Sequence, residues 1–368
     1  MASRSIFFTG YPGFIGRWLV RDMLASDPQA RFTFLVQAKF LGRAQKDMES
    51  LVAEGKAAEG QLKAVAGDIT DAKLGLSDDL YGKAASSTSE VWHLAGAFDL
   101  NVPEGLARRV NYWGVRHIVA FCKVCPHLSH LVHFSSVVVH AERTGLILED
   151  ELDEGQDLIN PYFSTKFWGE MEVRRAIQKD GLRAVIIRPA GVHGDSRTGE
   201  TDKFDNIYLT FPMAETAKTL RVPPVNFGRG EARPNFIPVD FLTAAAAVIG
   251  SNTEAIGKCF HVVDPDPPTS REQIQAVWRT VMGKEARLTI PTPLLDWSTR
   301  HIAWAFRLLN VPPDSITYLN HVGIFDDTNT RAFLAGSGIT CPRFEDYLPR
   351  LYAWWKANRR REDMTAKM

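Results

Sequence analysis

The chain has 368 residues, with 43 lysines and arginines against 43 aspartates and glutamates, so its formal net charge is zero. That length suits one large α/β domain with an appended lobe, or two domains. The charge balance argues against general nucleic-acid binding, which needs a concentrated basic surface. Four cysteines are too few for a disulfide framework in a chain of this length. No charged-then-apolar leader and no apolar run of roughly 18 residues is seen, so the expectation is a cytoplasmic protein without a transmembrane segment.

The first half alternates short apolar strands with helical patterns. "SIFFTG" reads as a strand and "GRWLVRDMLAS" as a helix with Trp18, Leu19, Met23 and Leu24 on one side. "RFTFLVQA" is a second strand, followed by a polar helix from Arg43 to Glu54. "LKAVAGDI" and "EVWHLAG" are the third and fourth strands. The helix "NYWGVRHIVAFCKVC" leads to the strand "LVHFSSVVV", and a helix from Tyr162 to Lys179 leads to "RAVIIRPAGVHG". Such alternation predicts right-handed βαβ units and an α/β fold, a doubly wound parallel sheet of Rossmann type.

After Gly194 the rhythm changes. Residues 195–235 read as irregular; a helix "DFLTAAAAVIG" and a strand "KCFHVVD" follow, and from Pro265 onward the chain is mostly helical and rich in aromatics. The expected division is a dinucleotide-binding domain over 1–194, completed by about 236–265, and a smaller substrate lobe from 195–235 and 266–368. In that lobe Trp297, Trp304, Phe306, Trp354 and Trp355 suit either helix packing or a greasy lid over a substrate. An amphipathic helix resting on a membrane surface is a lesser alternative. Cys122 and Cys125 form a CxxC near His127 and His130, but no second ligand cluster follows at zinc-finger spacing, so buried thiols and no metal are expected. Arg359, Arg360 and Arg361 read as a solvated tail.

Chemistry begins at "TGYPGFIG". Gly10, Gly13 and Gly16 sit three apart between the first strand and the first helix. The first glycine permits a tight turn, the second lets a pyrophosphate approach the backbone, and the third lets the helix pack on the strand. The helix N-terminus offers free N–H groups, with those of Phe14 and Ile15 as candidate phosphate donors. Pro12 lacks an N–H and stiffens the turn. A ribose-binding acid is expected about 20 residues further on. The sequence there reads "LVQAKFLGR", with Gln37 neutral and Lys39 and Arg43 basic. Missing carboxylate and nearby cations favour the 2′-phosphate of NADP(H) over NAD(H). Asp68 and Ile69, in "GDI", fall where the adenine would lie.

"NPYFSTKFWGE" places Tyr162 and Lys166 at i and i+4 of a helix, on one face. A cation beside a phenol lowers its pKa and makes tyrosine a usable acid–base, and the lysine can also hold a ribose. Ser135 and Ser136 lie at the end of a strand, where the carboxyl ends of parallel strands form a ligand crevice. A hydroxyl there can hold a substrate carbonyl oxygen.

Taken with "HLAGA", "VNYWGV" and "RPAGVHG", these segments resemble the extended short-chain dehydrogenase/reductase superfamily over residues 5–195. The likeness is nearest to its fatty acyl reductase and thioester reductase branch, through "LVQAKFLGRA", "GDITDAKLGLSDDLY", "NFIPVD" and "FHVVDPDPPTS". The branch carries an arginine where this chain has Gln37. The resemblance implies a catalytic triad of Ser136, Tyr162 and Lys166. It also implies a cofactor lining of Ala95 and Gly96, a buttress at Asn111, and a nicotinamide pocket through Pro189, Gly191 and Val192. Phe98, Val137, His140 and His193 are then expected on the substrate side. The function implied is NADP(H)-dependent reduction of a carbonyl in an apolar substrate: a fatty or polyketide aldehyde, an acyl thioester, free or carrier-bound, or a bulky ketone such as a sterol. Relatives of this kind commonly form homodimers. Two rivals stand beside it: an NAD-dependent sugar-nucleotide epimerase or dehydratase, for which Arg233 would suit a diphosphate, and a nucleotide-sensing regulator without chemistry.

Overall fold

The computed structural model describes residues 4–98, 102–158, 160–291 and 323–361. Seven strands form the central sheet: β1 (Ser5–Thr9), β2 (Arg31–Val36), β3 (Leu62–Ala66), β4 (Glu90–His93), β5 (His130–Phe134), β6 (Ala184–Pro189) and β7 (Cys259–Val262). Their order is β7-β6-β5-β4-β1-β2-β3, and every neighbouring pair is parallel. The order reverses between β1 and β4, where a doubly wound sheet opens a crevice at the carboxyl ends of its strands. A sheet covered on both faces needs strands apolar on both sides. Phe7 and Phe8, adjacent in β1, accordingly enter opposite cores.

One core joins the sheet to α1 (Phe14–Ser26), α2 (Leu41–Ala53) and, later in the chain, α7 (Val239–Ser251). The opposite face carries α3 (Asp78–Ser87), α4 (Gly114–Val124) and α5 (Pro161–Asp180). A third apolar cluster lies apart from both. It gathers α6 (Thr210–Leu220), α8 (Ser270–Met282) and the final helix α10 (Phe344–Asn358) through Tyr208, Phe211, Trp278, Tyr347, Leu351 and Trp355. Trp355 is 5 % exposed and packs with Phe211 and Tyr352, so it is core rather than lid. Trp297, Trp304 and Phe306 lie outside the described residues.

Three readings of the sequence differ from this structure. The stretch 195–235 contains a regular helix, α6, in which Pro212 occupies the first turn, where an N–H has no helical partner to lose. The strand "LVHFSSVVV" ends at Phe134, and Val137–His140 forms a 3₁₀ turn, because the Ser136 side chain accepts from the N–H of Val138 and gives the backbone a local alternative to the sheet. The C-terminal segment does not stay in the lobe. Gly323–Phe325 pairs with Gly145–Ile147, and Leu334, at the end of α9 (Thr328–Leu334), joins the first core.

Among the described residues no helix is long and apolar enough to cross a membrane, and no His/Cys/Asp/Glu group is arranged to hold a metal ion. Cys122 and Cys125 are buried and free, and burial pushes the Cys125 thiol up to about 12.

Candidate active site

The glycine turn leaves β1 and enters α1. Gly10 sits at φ +93°, and a Cβ there would lie 2.8 Å from the Ala95 nitrogen and 2.9 Å from Leu94. A Cβ on Gly16 would fall 2.7 Å from the Gly10 carbonyl oxygen, so the helix start and the turn touch backbone to backbone. Gly13 caps α1 with no side-chain hydrogen bond, and no acid lies in the first turn, so the first N–H groups, Phe14 and Ile15 included, stand ready for an anion. The Tyr11–Pro12 peptide is cis. The Tyr11 ring stacks on Phe34 with centroids 4.0 Å apart, and its hydroxyl donates to the Asp47 carboxylate, which pins the turn to α2. This backbone cradle fits a dinucleotide. A Gly10→Ala substitution is expected to weaken dinucleotide binding at least tenfold and to cost about 1–3 kcal/mol of stability, checked by ligand titration and thermal melting.

At the end of β2, Gln37 donates to Asp68 (2.7 Å), whose other oxygen accepts from the Thr70 N–H (2.9 Å). Ile69 is buried beneath Gly114, and its carbonyl meets His117 Nδ1 at 2.8 Å. Lys39 is exposed, with its ammonium 4.9 Å from the centre of the Phe40 ring. Arg43 donates to Asp202 at 2.6 Å, and Asp202 also accepts from Arg17 at 2.5 Å. Neither Arg17 nor Asp202 stood out in the sequence. Arg17 directly follows Gly16 in the turn motif, which is the one signal that pointed to it.

At the carboxyl end of β4 the Ala95 N–H meets the Thr9 hydroxyl at 3.3 Å, and Gly96 lies against Asn111 and Lys166, where a Cβ would be 3.3 Å and 3.5 Å from their polar atoms. Asn111 stands in the π-helical turn Arg108–Trp113. Its amide clasps Ala97 through both backbone groups (2.8 and 2.9 Å) and donates to the Thr165 hydroxyl (3.2 Å), tying the loop after β4 to α5.

Helix α5 begins with Asn160 capping the Tyr162 N–H and with Pro161 in its first turn. Tyr162 and Lys166 share its crevice-facing side. Burial pushes the Tyr162 phenol up to about 12, and a hydrogen bond with the Ser136 side chain pulls it partly back. Burial brings the Lys166 ammonium down to about 8, while the Glu170 charge pulls it upward. Lys166 Nζ donates to the Phe134 carbonyl at 2.9 Å and is not among the groups that shift Tyr162. The two neighbouring serines part company here. The Ser135 hydroxyl turns away and donates to Glu170 at 2.6 Å, whereas Ser136 meets the phenol.

Behind this row runs a buried ion pair that the sequence reading missed. Arg188 and Glu170 are both fully buried; the guanidinium grips the carboxylate through Nε (2.9 Å) and Nη2 (2.6 Å). Its signal was a lone arginine in the apolar strand "AVIIRP", since a charge inside a covered strand must be paired. Arg188 Nη1 also donates to His140 Nε2 (2.8 Å) and His261 Nε2 (3.1 Å), which requires both rings neutral. Burial, followed by the Arg188 charge, lowers both imidazoles, His261 to about 3.

The expected substrate-side residues divide. Phe98 is 64 % exposed, with the Lys203 ammonium 5.1 Å from its ring centre. Val137 joins the first core. His140 and His193 are fully buried and engaged by other side chains. His140 serves Arg188, and His193 stacks on Phe236 at 4.7 Å with Nδ1 3.4 Å from the Tyr347 hydroxyl. Pro189 ends β6; Gly191 and Val192 form a short parallel pair with Phe236–Pro238, where Phe236 fills the space above Gly191. Arg233, the diphosphate candidate of the epimerase reading, donates instead to the Pro267 carbonyl (2.9 Å) and Asp266 (3.3 Å).

Comparison with known proteins shows the family and the fold. Residues 8–246 match the family described as male sterility protein, an NAD-binding family. The chain is 28 % identical over 375 residues to the non-canonical nonribosomal peptide synthetase FrzA of a Cladobotryum species, covering 94 % of this chain and 36 % of that protein. It is 25 % identical over 309 residues to the aldehyde reductase lnbA of Aspergillus flavus, covering 80 % of this chain and 30 % of that one. The chain thus spans about a third of the length of these relatives. In fold it superposes on the terminal R domain from the myxalamid PKS-NRPS biosynthetic pathway with a TM-score of 0.82, 24 % identity, and coverage of 99 % and 93 % of the two chains. The chain belongs to the male sterility protein family, of the extended short-chain dehydrogenase/reductase type.

Proposed function

We propose that the protein is an NADP(H)-dependent reductase of an apolar carbonyl substrate: a fatty or polyketide aldehyde, an acyl thioester, free or carrier-bound, or a bulky ketone. The observation that carries this reading is the row at the carboxyl edge of β5. There the Ser136 side chain lies close enough to the Tyr162 phenol to lower its pKa, and Lys166 lies between the Phe134 carbonyl and Gly96, beside the dinucleotide cradle. When bound, NADP(H) supplies the hydride that goes to the carbonyl carbon. Tyr162 gives its phenolic proton to the carbonyl oxygen, and Ser136 holds that oxygen by a hydrogen bond as charge develops on it. Lys166 holds the nicotinamide ribose, and the Ser136 side chain offsets part of the burial that makes the Tyr162 phenol a poor acid. The glycine turn with Phe14 and Ile15 takes the pyrophosphate, and Arg17 and Arg43 take the 2′-phosphate. The name of the relative lnbA, aldehyde reductase, supports the substrate class.

The test is a binding and turnover assay. NADPH is expected to bind more tightly than NADH, and its absorbance at 340 nm should fall when an apolar aldehyde or acyl thioester is added. Tightly held NAD with sugar-nucleotide conversion and no net oxidation would replace this reading with the epimerase one. A pH dependence follows from Lys166. Its ammonium is charged below about 8 and loses its proton as the pH rises through that value. Cofactor affinity is therefore expected to fall across that range in fluorescence titrations, and Lys166→Arg, which stays charged, should hold its affinity to higher pH.

A further inference from the structure

The two arginines nearest the dinucleotide cradle are occupied by the protein's own carboxylate. Arg17, in the first turn of α1, donates Nη2 to Asp202 Oδ1 at 2.5 Å; Arg43, near the start of α2, donates Nη2 to Oδ2 at 2.6 Å. Each oxygen of one carboxylate thus takes one guanidinium, and the bridge spans the groove between the helix that follows the glycine turn and the helix that follows β2. Arg17 still has a donor in hand, because its Nε is buried without a hydrogen-bond partner. Lys39, the other cation of this region, is turned onto Phe40. Asp202 reaches the pair from 185 residues away in sequence, on the segment that leads from β6 into α6.

We propose that Asp202 sits where the 2′-phosphate of NADP(H) binds, so that the phosphate must displace it, and that this exchange sets the protein's preference between NADP(H) and NAD(H). The inference rests on the NADP(H) reading above and adds an internal competitor to it. A phosphomonoester brings up to two charges and three acceptor oxygens to the place where the carboxylate brings one charge and two. The arginines therefore have more to gain from the phosphate. Both anions cannot share the pair, since the carboxylate already lies within 2.5–2.6 Å of both forks and a phosphate there would be in like-charge contact with it. The bridge is also exchangeable. Its side chains are 16 %, 25 % and 54 % exposed for Arg17, Asp202 and Arg43, and ion pairs of that kind contribute modestly. The fully buried Glu170–Arg188 pair would not yield in this way. NAD(H), which has no 2′-phosphate, leaves Asp202 on its arginines.

The exchange reaches the substrate side as well. Lys203, next in sequence, carries its ammonium 5.1 Å from the Phe98 ring centre. Gly199, three residues earlier, packs so closely on α10 that a Cβ would lie 2.2 Å from the Arg350 carbonyl oxygen. The segment is clamped at Gly199, so displacing Asp202 moves the stretch that carries Lys203 against Phe98 and leaves α10 in place.

Calorimetric binding of 2′,5′-ADP and 5′-ADP to the full chain tests this without turnover. The wild type should prefer 2′,5′-ADP. Asp202→Asn should tighten 2′,5′-ADP by about three- to tenfold and leave 5′-ADP unchanged, and Asp202→Ser should do the same. Hydrogen exchange of the wild type supplies a readout that needs no variant: amides of residues 200–205 should exchange faster with 2′,5′-ADP than with 5′-ADP. Unchanged 2′,5′-ADP affinity in both Asp202 variants, with affinity lost in Arg17→Ala or Arg43→Ala, would overturn the competitor while keeping the phosphate seat. Equal exchange with the two nucleotides would overturn it too. Equal affinity of the wild type and both arginine variants for the two nucleotides would remove the NADP(H) reading itself, and the inference with it.

Discussion

Arg188→Met is expected to destabilise the chain by about 3–5 kcal/mol, because it strands a buried carboxylate. Glu170 is fully buried, and Arg188 meets both its oxygens; the remaining partners are the Ser135 hydroxyl (2.6 Å) and Arg174 Nε (2.8 Å). The substitution also removes the donors to His140, His261 and the carbonyl oxygens of Glu149 and Glu151. Thermal melting should show a fall on the order of 10 °C for a loss of this size. The pH dependence gives the loss its signature. Burial alone would raise the Glu170 carboxyl, but the Arg188 charge and hydrogen bonds outweigh it and hold the group well below the usual carboxylate range. The wild type therefore keeps this stabilisation above the ordinary carboxyl pKa of 4.5 and loses it as pH falls toward the depressed value. In the variant the carboxyl protonates more readily, so the deficit should be largest near neutrality and should narrow toward acid. Pairing the substitution with Glu170→Leu is expected to recover part of the loss, since an apolar pair of similar size removes both charges together. A deficit that stayed constant with pH would place the cost in lost packing rather than in the stranded charge.

The parts of this molecule that the sequence made legible are those set by near neighbours in the chain. The glycine turn is one, because three glycines between a strand and a helix constrain the backbone locally, and Gly10 at φ +93° shows the constraint. The helix holding Tyr162 and Lys166 is another, with Asn160 and Pro161 marking its start and Gly181 in the left-handed region closing it. The parallel sheet followed from apolar runs alternating with helices. What stayed hidden depends on groups far apart in sequence. Asp202 is 185 residues from Arg17, and no periodicity ties the two. His140 lay inside a recognisable motif, yet its surroundings are decided by Arg188 and His261, contributed by two other strands. Helix α6 was concealed by Pro212, which breaks a helix from within but is tolerated in its first turn.

Tyr162→Phe tests the chemistry most directly, and the expected result is a fall in kcat of about 10²–10⁴ with NADPH binding retained, since general acid–base groups contribute in that range. The change removes one oxygen from a residue 8 % exposed and leaves the ring to pack with Phe163 and Val102 as before. The cost in stability is expected to stay near that of one hydrogen bond at most, about 1 kcal/mol, because Ser136 is the side chain that acts on the phenol. Ser136→Ala should be milder, since it removes the group that holds the carbonyl oxygen and leaves the proton donor in place. The two losses should not add: without the phenol's proton, holding the oxygen gains little, so the double variant should resemble Tyr162→Phe alone. Stopped-flow measurement of NADPH oxidation separates the steps, as the slow variant should bind NADPH at the wild-type rate and then stall. A Tyr162→Phe protein that still oxidised NADPH at the wild-type rate would move the proton donor elsewhere in the crevice. His140 is engaged by Arg188 and His193 by Phe236 and Tyr347, so neither is poised to take the role.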